Sequence, residues 1–193
     1  MEIINVSNFN DGPVIIQPLI FKDERGYFFE TFNETEFKEK VADVDFVQDN
    51  ESKSSYGVLR GLHFQKPPYA QAKLVRVVSG AVFDVAVDIR EGSPSYGLWF
   101  GAYLSGDNHR QFYIPRGFAH GFVSLSDNTV FQYKCDNPYN RESEGSIAYN
   151  DPYINIDWGK WLDWRNIKLS PKDQMSPQLR EIKNIFTYDN TEV

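Results

Sequence analysis

Ile114-Pro115-Arg116-Gly117-Phe118-Ala119-His120-Gly121-Phe122 reads as a tight turn that opens a β-strand. Pro115 presets its own φ, and Gly117 can enter the left-handed region, so the chain reverses and then runs on as a strand carrying His120. A second stretch, Val58-Leu59-Arg60-Gly61-Leu62-His63-Phe64-Gln65, carries another strand histidine, and Lys73 opens the next β run. A His-x-His pair on a strand is half of a common metal site. Here Gln65 stands at the second position, and Tyr69 and Ala70 occupy the places where a glutamate ligand would follow. The chain has three histidines, His63, His109 and His120, whereas a metal needs at least three imidazole or carboxylate ligands converging on one ion. No metal is expected, and histidine is left free for acid–base work.

Outward from these stretches, short β runs follow one another. They lie near residues 45–50, 58–65, 73–79, 82–89, 98–104, 111–114, 118–125 and 130–135, with turns between. Eight or more short strands without helical interruption predict a jelly roll or barrel, mainly β. Upstream, 14–21 and 27–32 read as strands joined by Asp23-Glu24-Arg25-Gly26. Asn33 with Glu36 is a capping pair for a short helix to about residue 42. Downstream, the region from about 158 to 193 is richer in turns. Ser176-Pro177 predicts a helix to about residue 186, with Leu179, Ile182, Ile185 and Phe186 as its apolar stripe. Without a linker, repeat or low-complexity stretch, one domain over 1–193 is expected.

The bulk numbers bound the function. At 193 residues, with 41% hydrophobic and 16% aromatic content, the chain can bury a sizeable core. A net charge of −7 argues against nucleic acid and anionic membranes as partners. An anionic small molecule remains possible where Arg and Lys converge. One cysteine, Cys135, excludes an intramolecular disulfide and suits a reducing cytoplasm. No signal peptide or membrane-spanning run is evident, so a cytoplasmic location is expected.

Each candidate residue has a plainer alternative. His63 is either a structural histidine inside a sheet or a base beside Arg60 and Lys73, whose clustered positive charge makes sense around an anion. Strict alternation sends Arg60 and His63 to opposite faces, and a bulge at Gly61 would re-aim one of them. His120 either supports its turn by a hydrogen bond or contacts a ligand. His109, in the polar turn Gly106-Asp107-Asn108-His109-Arg110, reads as solvated. Tyr133 is core unless its hydroxyl faces a base across a substrate, where it becomes a general acid. Asp173 is either a capping partner of Ser170 or the carboxylate that fixes a histidine tautomer. Trp158, Trp161 and Trp164 read as packing.

Taken in order, these motifs resemble those of a known family. The Pro-x-Gly-x-x-His turn is similar to that of the cupin double-stranded β-helix. Asp23-Glu24-Arg25-Gly26 with Phe28 and Glu30, Phe46-Val47-Gln48-Asp49-Asn50, Gly57 to His63 and Lys73-Leu74-Val75-Arg76 extend the likeness. So do the run 83–90, Tyr133-Lys134, Glu144-Gly145 and Ser170-x-Lys172-Asp173. Over nearly its whole length the chain resembles the dTDP-4-dehydrorhamnose 3,5-epimerases.

That resemblance implies a cupin-type jelly roll with short peripheral helices, working without a cofactor. It implies dTDP-4-dehydro-6-deoxy-D-glucose as substrate and dTDP-4-dehydro-L-rhamnose as product. By position, His63 is the base with Asp173 as dyad partner, Lys73 stabilises the enolate, and Tyr133 returns a proton on the opposite face. Arg25, Phe28, Glu30, Gln48, Asp49, Asn50, Arg60, His120, Tyr139, Glu144 and Lys172 line the sugar and nucleotide pocket. The resemblance further implies a homodimer in which the segment 25–30 crosses to the partner's site. The rivals are a non-catalytic sugar-nucleotide-binding cupin and a metal-dependent cupin enzyme, the latter disfavoured by Gln65.

Overall fold

A computed structural model describes residues 1–5, 11–183 and 185–188. Fifteen strands succeed one another: β1 (Glu2–Asn5), β2 (Val14–Gln17), β3 (Phe21–Asp23), β4 (Gly26–Phe28), β5 (Gln48–Ser54), β6 (Leu59–Gln65), β7 (Lys73–Ser79), β8 (Ala81–Asp88), β9 (Arg90–Glu91), β10 (Trp99–Ser105), β11 (Gln111–Ile114), β12 (Phe118–Ser124), β13 (Thr129–Cys135), β14 (Glu144–Ser146) and β15 (Phe186–Thr187). Two helices flank them, α1 (Glu34–Lys40) and α2 (Pro171–Gln174). The fold is mainly β and cupin-like, as expected. The first sheet runs β1-β2-β11-β7-β13-β5 and the second β10-β8-β12-β6-β14. β3 and β4 form a separate hairpin, and β15 lies parallel to β9.

Alternation along the strands builds three apolar layers. Between the sheets, Val75, Val77, Phe112, Ile114 and Phe131 of the first pack on Val82, Ala86, Ala102, Leu104, Phe118 and Phe122 of the second. The outer face of the second sheet buries Leu62, Phe64, Phe83, Val85, Val87 and Val123 under the later chain, whose Ile147, Ile154, Ile156 and Trp158 complete that layer. Trp158 is fully buried and donates its indole N–H to the Tyr149 carbonyl at 2.8 Å, so no polar atom is stranded. On the outer face of the first sheet, Phe37 of α1 sits with Phe32 and Phe46 over Ile16, Leu74 and Tyr113. Burying each such side chain contributes about 1.5–3 kcal/mol.

The Asn33–Glu36 reading holds: the Asn33 side chain accepts from the Glu36 N–H at 3.1 Å and α1 starts at Glu34. The tail differs from the reading. No helix spans 177–186 among the described residues (184 lies outside them). The Ser–Pro start falls instead at Ser170 and Pro171, which cap and open α2. Leu179–Glu181 makes one 3-10 turn, and Phe186–Thr187 forms β15. Tertiary partners override the local helical pattern: Leu179 N–H is held by the Asp151 carboxylate at 2.6 Å, Pro177 carbonyl accepts from Ala148 N–H, and Phe186 pairs with Arg90. Leu179, Ile182, Ile185 and Phe186 still all pack in the outer layer. Among the described residues no helix is long and apolar enough to cross a membrane.

The pairing of β6 with β12 carries one irregularity. His120 is opposite His63, while Phe122 is opposite Arg60. Two residue steps on β12 therefore face three on β6, a β-bulge centred on Gly61 and Leu62. Gly61 has φ +142°, and a Cβ there would lie 2.5 Å from the Cα of Gly121. Gly121 in turn leaves only 2.8 Å between its would-be Cβ and the Arg60 carbonyl. Gly61→Ala is expected to lose roughly 2–5 kcal/mol of stability, read as a lower midpoint in urea unfolding. An unchanged midpoint would mean that the two strands can separate without loss.

Candidate active site

The bulge sets the phase of β6. On its far side Leu62 and Phe64 join the outer core, and Arg60 and His63 both point between the sheets. There they meet Lys73 of β7, His120 of β12 and Tyr133 of β13 in a cleft of about 450 Å³. The 168–173 segment closes one wall with Lys168, Ser170, Lys172 and Asp173. That segment is tied down by its backbone: Leu59 N–H donates to the Lys168 carbonyl, and Lys168 N–H to the Gly57 carbonyl.

His63 Nε2 lies 2.5 Å from Asp173 Oδ1. Asp173 is 5% exposed, in the first turn of α2. Its backbone N–H donates to Ser170 Oγ at 3.1 Å, and Ser170 Oγ donates to its Oδ2 at 2.8 Å. Cap and dyad are thus the same residue in two simultaneous roles. Burial alone would raise the Asp173 pKa, yet the hydrogen bonds from His63 and Ser170 and the charge of Lys172 bring it below the ordinary value. An ionised Asp173 fixes the proton of His63 on Nε2, leaving Nδ1 as the accepting nitrogen.

A second dyad lies deeper. His120 Nε2 faces both carboxylate oxygens of Asp84 at 2.9 and 3.1 Å, with His120 7% exposed and Asp84 fully buried. Burial lowers the His120 pKa against the pull of Asp84, and burial raises that of Asp84. Lys73 also has its pKa lowered by burial, partly offset by Cys135, Asp84 and Glu144. Among the described residues the Lys73 ammonium makes no hydrogen bond or ion pair. Tyr133 has its phenol pKa raised by burial first and by Cys135 second, so it holds its proton at neutral pH.

The other expected residues separate into groups. Arg60 donates from Nε to Ser54 Oγ at 3.2 Å and reaches the cleft. Gln48, Asn50, Tyr139 and Glu144 form a chain beside it: Tyr139 N–H donates to Gln48 Oε1, Gln48 Nε2 to Asn50 Oδ1, and the Tyr139 hydroxyl to Glu144 Oε2. Glu144 forms an ion pair with Lys172 on the cleft wall. Asp49 is elsewhere. Alternation on β5 turns it to the outer face of the first sheet, where it pairs with Lys134 at 2.9 Å. Arg25, Phe28 and Glu30 are exposed on or just after the β3–β4 hairpin and do not line this chain's cleft, and Arg25 pairs with its own neighbour Asp23. His109 is not solvated but 8% exposed, packed on Tyr27 and Phe29 with centroids at 4.6 and 5.0 Å.

Gln65 is taken up by backbone groups. Its amide nitrogen donates to the carbonyls of Tyr69 and Pro138, and its oxygen accepts from Asn140 N–H. Among the described residues no group of three or more His, Cys, Asp or Glu converges as a metal site. Three residues escape sequence reasoning: Asp84, buried behind His120, and Ser52 and Lys168 on the cleft lining. A lone acid in the apolar run 82–87 was the available signal for Asp84. The signal for Ser52 was its shared strand parity with Asn50; Lys168 gave none.

The sequence profile described as dTDP-4-dehydrorhamnose 3,5-epimerase matches residues 10–181. The chain belongs to that family. A dTDP-4-dehydrorhamnose 3,5-epimerase of Methanothermobacter thermautotrophicus is 52% identical over 172 residues, 89% of this chain and 91% of that one. The crystal structure of an epimerase of the same name from Elizabethkingia anophelis superposes with a TM-score of 0.88 at 53% identity, covering 94% and 97% of the two chains. A dTDP-6-deoxy-D-glucose-3,5-epimerase of Legionella pneumophila, solved with dTDP-4-keto-L-rhamnose, gives a TM-score of 0.91 at 48% identity over 97% and 98%. The protein is an enzyme of the isomerase class.

In this epimerase the dyad also couples the site to pH. The Asp173 pKa is lowered by folding, so its contribution is present above the unfolded value and is lost as pH falls through the folded one. Asp173→Asn removes that dependence. The stability gap between the two proteins is expected to narrow below about pH 4, followed by thermal unfolding across an acid series. A gap that stays constant down to acid unfolding would mean that Asp173 is not ionised beside His63.

Proposed function

We propose that the enzyme inverts C3 and C5 of dTDP-4-dehydro-6-deoxy-D-glucose, giving dTDP-4-dehydro-L-rhamnose, through enolate intermediates and without a cofactor. The observation that carries this reading is the His63–Asp173 contact, which opens on the same cleft as Lys73 and Tyr133. The C4 ketone acidifies both neighbouring C–H bonds, so the reaction needs a base, an oxyanion stabiliser and a second proton donor rather than an electron sink.

His63 Nδ1 takes the proton from the carbon beside the ketone, and the electron pair moves onto O4. The buried, unpaired Lys73 ammonium stabilises that oxyanion in a site where charge interactions are strong. Tyr133, protonated and opposite the base, returns a proton to the other face and so inverts C5. Arg60 holds the diphosphate, and its fork suits two phosphate oxygens. In this reading His120, kept neutral by burial, borders the sugar.

The exposed β3–β4 hairpin supports a homodimer. Tyr27 is 58% and Phe28 71% exposed, an aromatic tip that keeps most of its surface open although Tyr27 also packs on His109. Arg25, Phe28 and Glu30 would then complete the nucleotide end of a second copy's cleft. A nucleotide-sugar substrate and the single buried, unpaired Cys135 fit a cytoplasmic enzyme.

Proton NMR of the substrate with enzyme in D₂O tests the reading. Deuterium is expected at both C3 and C5. His63→Ala is expected to lower exchange at both by at least about 10²-fold. Tyr133→Phe should lose C5 inversion while C3 exchange persists. Exchange at one carbon with the unsubstituted enzyme would make it a single-centre epimerase, and none with bound ligand would make it a binding module. Lys73→Met is expected to reduce turnover by about 10²–10³-fold with a smaller change in KM; a change confined to KM would move Lys73 from oxyanion to binding duty.

A further inference from the structure

Gln65 stands two residues beyond His63 on β6, shares its strand parity, and is 5% exposed. Its amide meets three backbone groups at once. Nε2 donates to the carbonyls of Tyr69 at 2.7 Å and Pro138 at 3.2 Å, and Oε1 accepts from Asn140 N–H at 2.7 Å. Only Asn and Gln offer two donors and an acceptor on one neutral planar group. A neutral imidazole would leave one of the three backbone groups unpaired, and a carboxylate two. Buried backbone groups rarely go without a partner.

Two of these bonds bracket Tyr139, one on the residue before it and one on the residue after. The Tyr139 N–H between them donates to Gln48 Oε1 at 2.9 Å, so the backbone is held at three successive residues. The far end of the side chain is held as well. The Tyr139 hydroxyl donates to Glu144 Oε2 at 3.2 Å, and Glu144 is opposite Gln65 in the β14–β6 register. Tyr139 is thus tied at both ends to one rung of the sheet, about 7 Å along β6 from the level of His63. Its ring nonetheless stays open, with the residue 57% exposed. An aromatic ring fixed in place with most of its surface free offers a flat contact to a planar partner at little entropic cost. Glu144 joins this rim to the cleft wall through its ion pair with Lys172.

On the nucleotide-sugar reading above, we propose that Gln65 is the positioning residue for Tyr139, fixing that ring relative to His63 so that it packs on the nucleoside end of the substrate while the sugar meets the base. Gln65 touches no ligand and acts through the backbone of 138–140. One strand then carries both the residue that works on the sugar and the residue that sets where the other end of the molecule rests.

Calorimetric titration with dTDP across a double-mutant cycle of Gln65→Met and Tyr139→Ala tests the assignment. Tyr139→Ala is expected to bind dTDP about tenfold more weakly, in keeping with one lost ring contact to a base. Gln65→Met should weaken it about fivefold, and the double variant about tenfold rather than the roughly fiftyfold of independent losses. In deuterium exchange of the full substrate, Gln65→Met should raise KM with kcat within about threefold, since β6 keeps His63 in place. Gln65→Asn, with the same amide one methylene shorter, goes through the same cycle with the same coupling expected, and carries the test where Gln65→Met does not fold. Additive losses, unchanged dTDP affinity in the Gln65 variants, or a loss confined to kcat would each overturn the inference. Undiminished dTDP binding by Tyr139→Ala would overturn it too, by removing Tyr139 from the nucleotide. Failure of the unsubstituted enzyme to bind dTDP would instead overturn the nucleotide-sugar reading on which the inference rests.

Discussion

Everything in the cleft depends on one extra residue in β6. A strand in perfect register would direct Arg60 and His63 to opposite faces, one into the cavity and one into the apolar layer beneath the tail. The bulge at Gly61, accommodated by the bare Cα of Gly121, lets both reach the cavity while Leu59, Leu62 and Phe64 stay in the outer core. A small backbone irregularity thus reconciles two demands on one strand, a packed underside and a cationic, basic upper side. It also brings His63 opposite His120, so that the two histidines come from neighbouring strands of one rigid sheet.

The two histidines then diverge through their partners. Asp173 is held ionised by a serine cap and sits at the cleft wall, so His63 is oriented yet 31% exposed and open to a ligand. Asp84 is sealed in the interior, and burial acts on both members of its pair. One arrangement leaves a histidine reachable from the cleft, and the other closes both partners off from solvent. The same side-chain pairing thus sits in two different environments because solvent and second contacts differ, which is the general way titratable groups are driven apart.

Short apolar runs bounded by turns made most of the sandwich legible, and β8 and β12 are such runs, buried on both faces. The bulge was legible as a conflict: Arg60 and His63 could not share a face without it. The same rule turns Asp49 away from the cleft toward Lys134, because Gln48, Asp49 and Asn50 are consecutive and cannot all look inward. The tail helix failed because a helical stripe is not the only way to bring Leu179, Ile182, Ile185 and Phe186 onto the second sheet. Only Asp151 and β9, both remote in sequence, decide between them. His109 was misread because polar neighbours in a turn say nothing about the aromatic hairpin that folds over it. The sequence left Asp173 open between a cap for Ser170 and a partner for a histidine, as no local pattern links residues 110 positions apart.

That separation has a consequence for when the molecule becomes an enzyme. The jelly roll closes with β14, ending at Ser146, yet the carboxylate that orients His63 arrives on a segment some two dozen residues further on, docked by two backbone bonds between Gly57, Leu59 and Lys168. During synthesis the barrel can be complete, with its histidine in place, while that histidine still lacks a fixed tautomer. The C-terminal strap both covers the outer core and carries the carboxylate beside His63, so a chain cut short ahead of it would lack the His63–Asp173 contact.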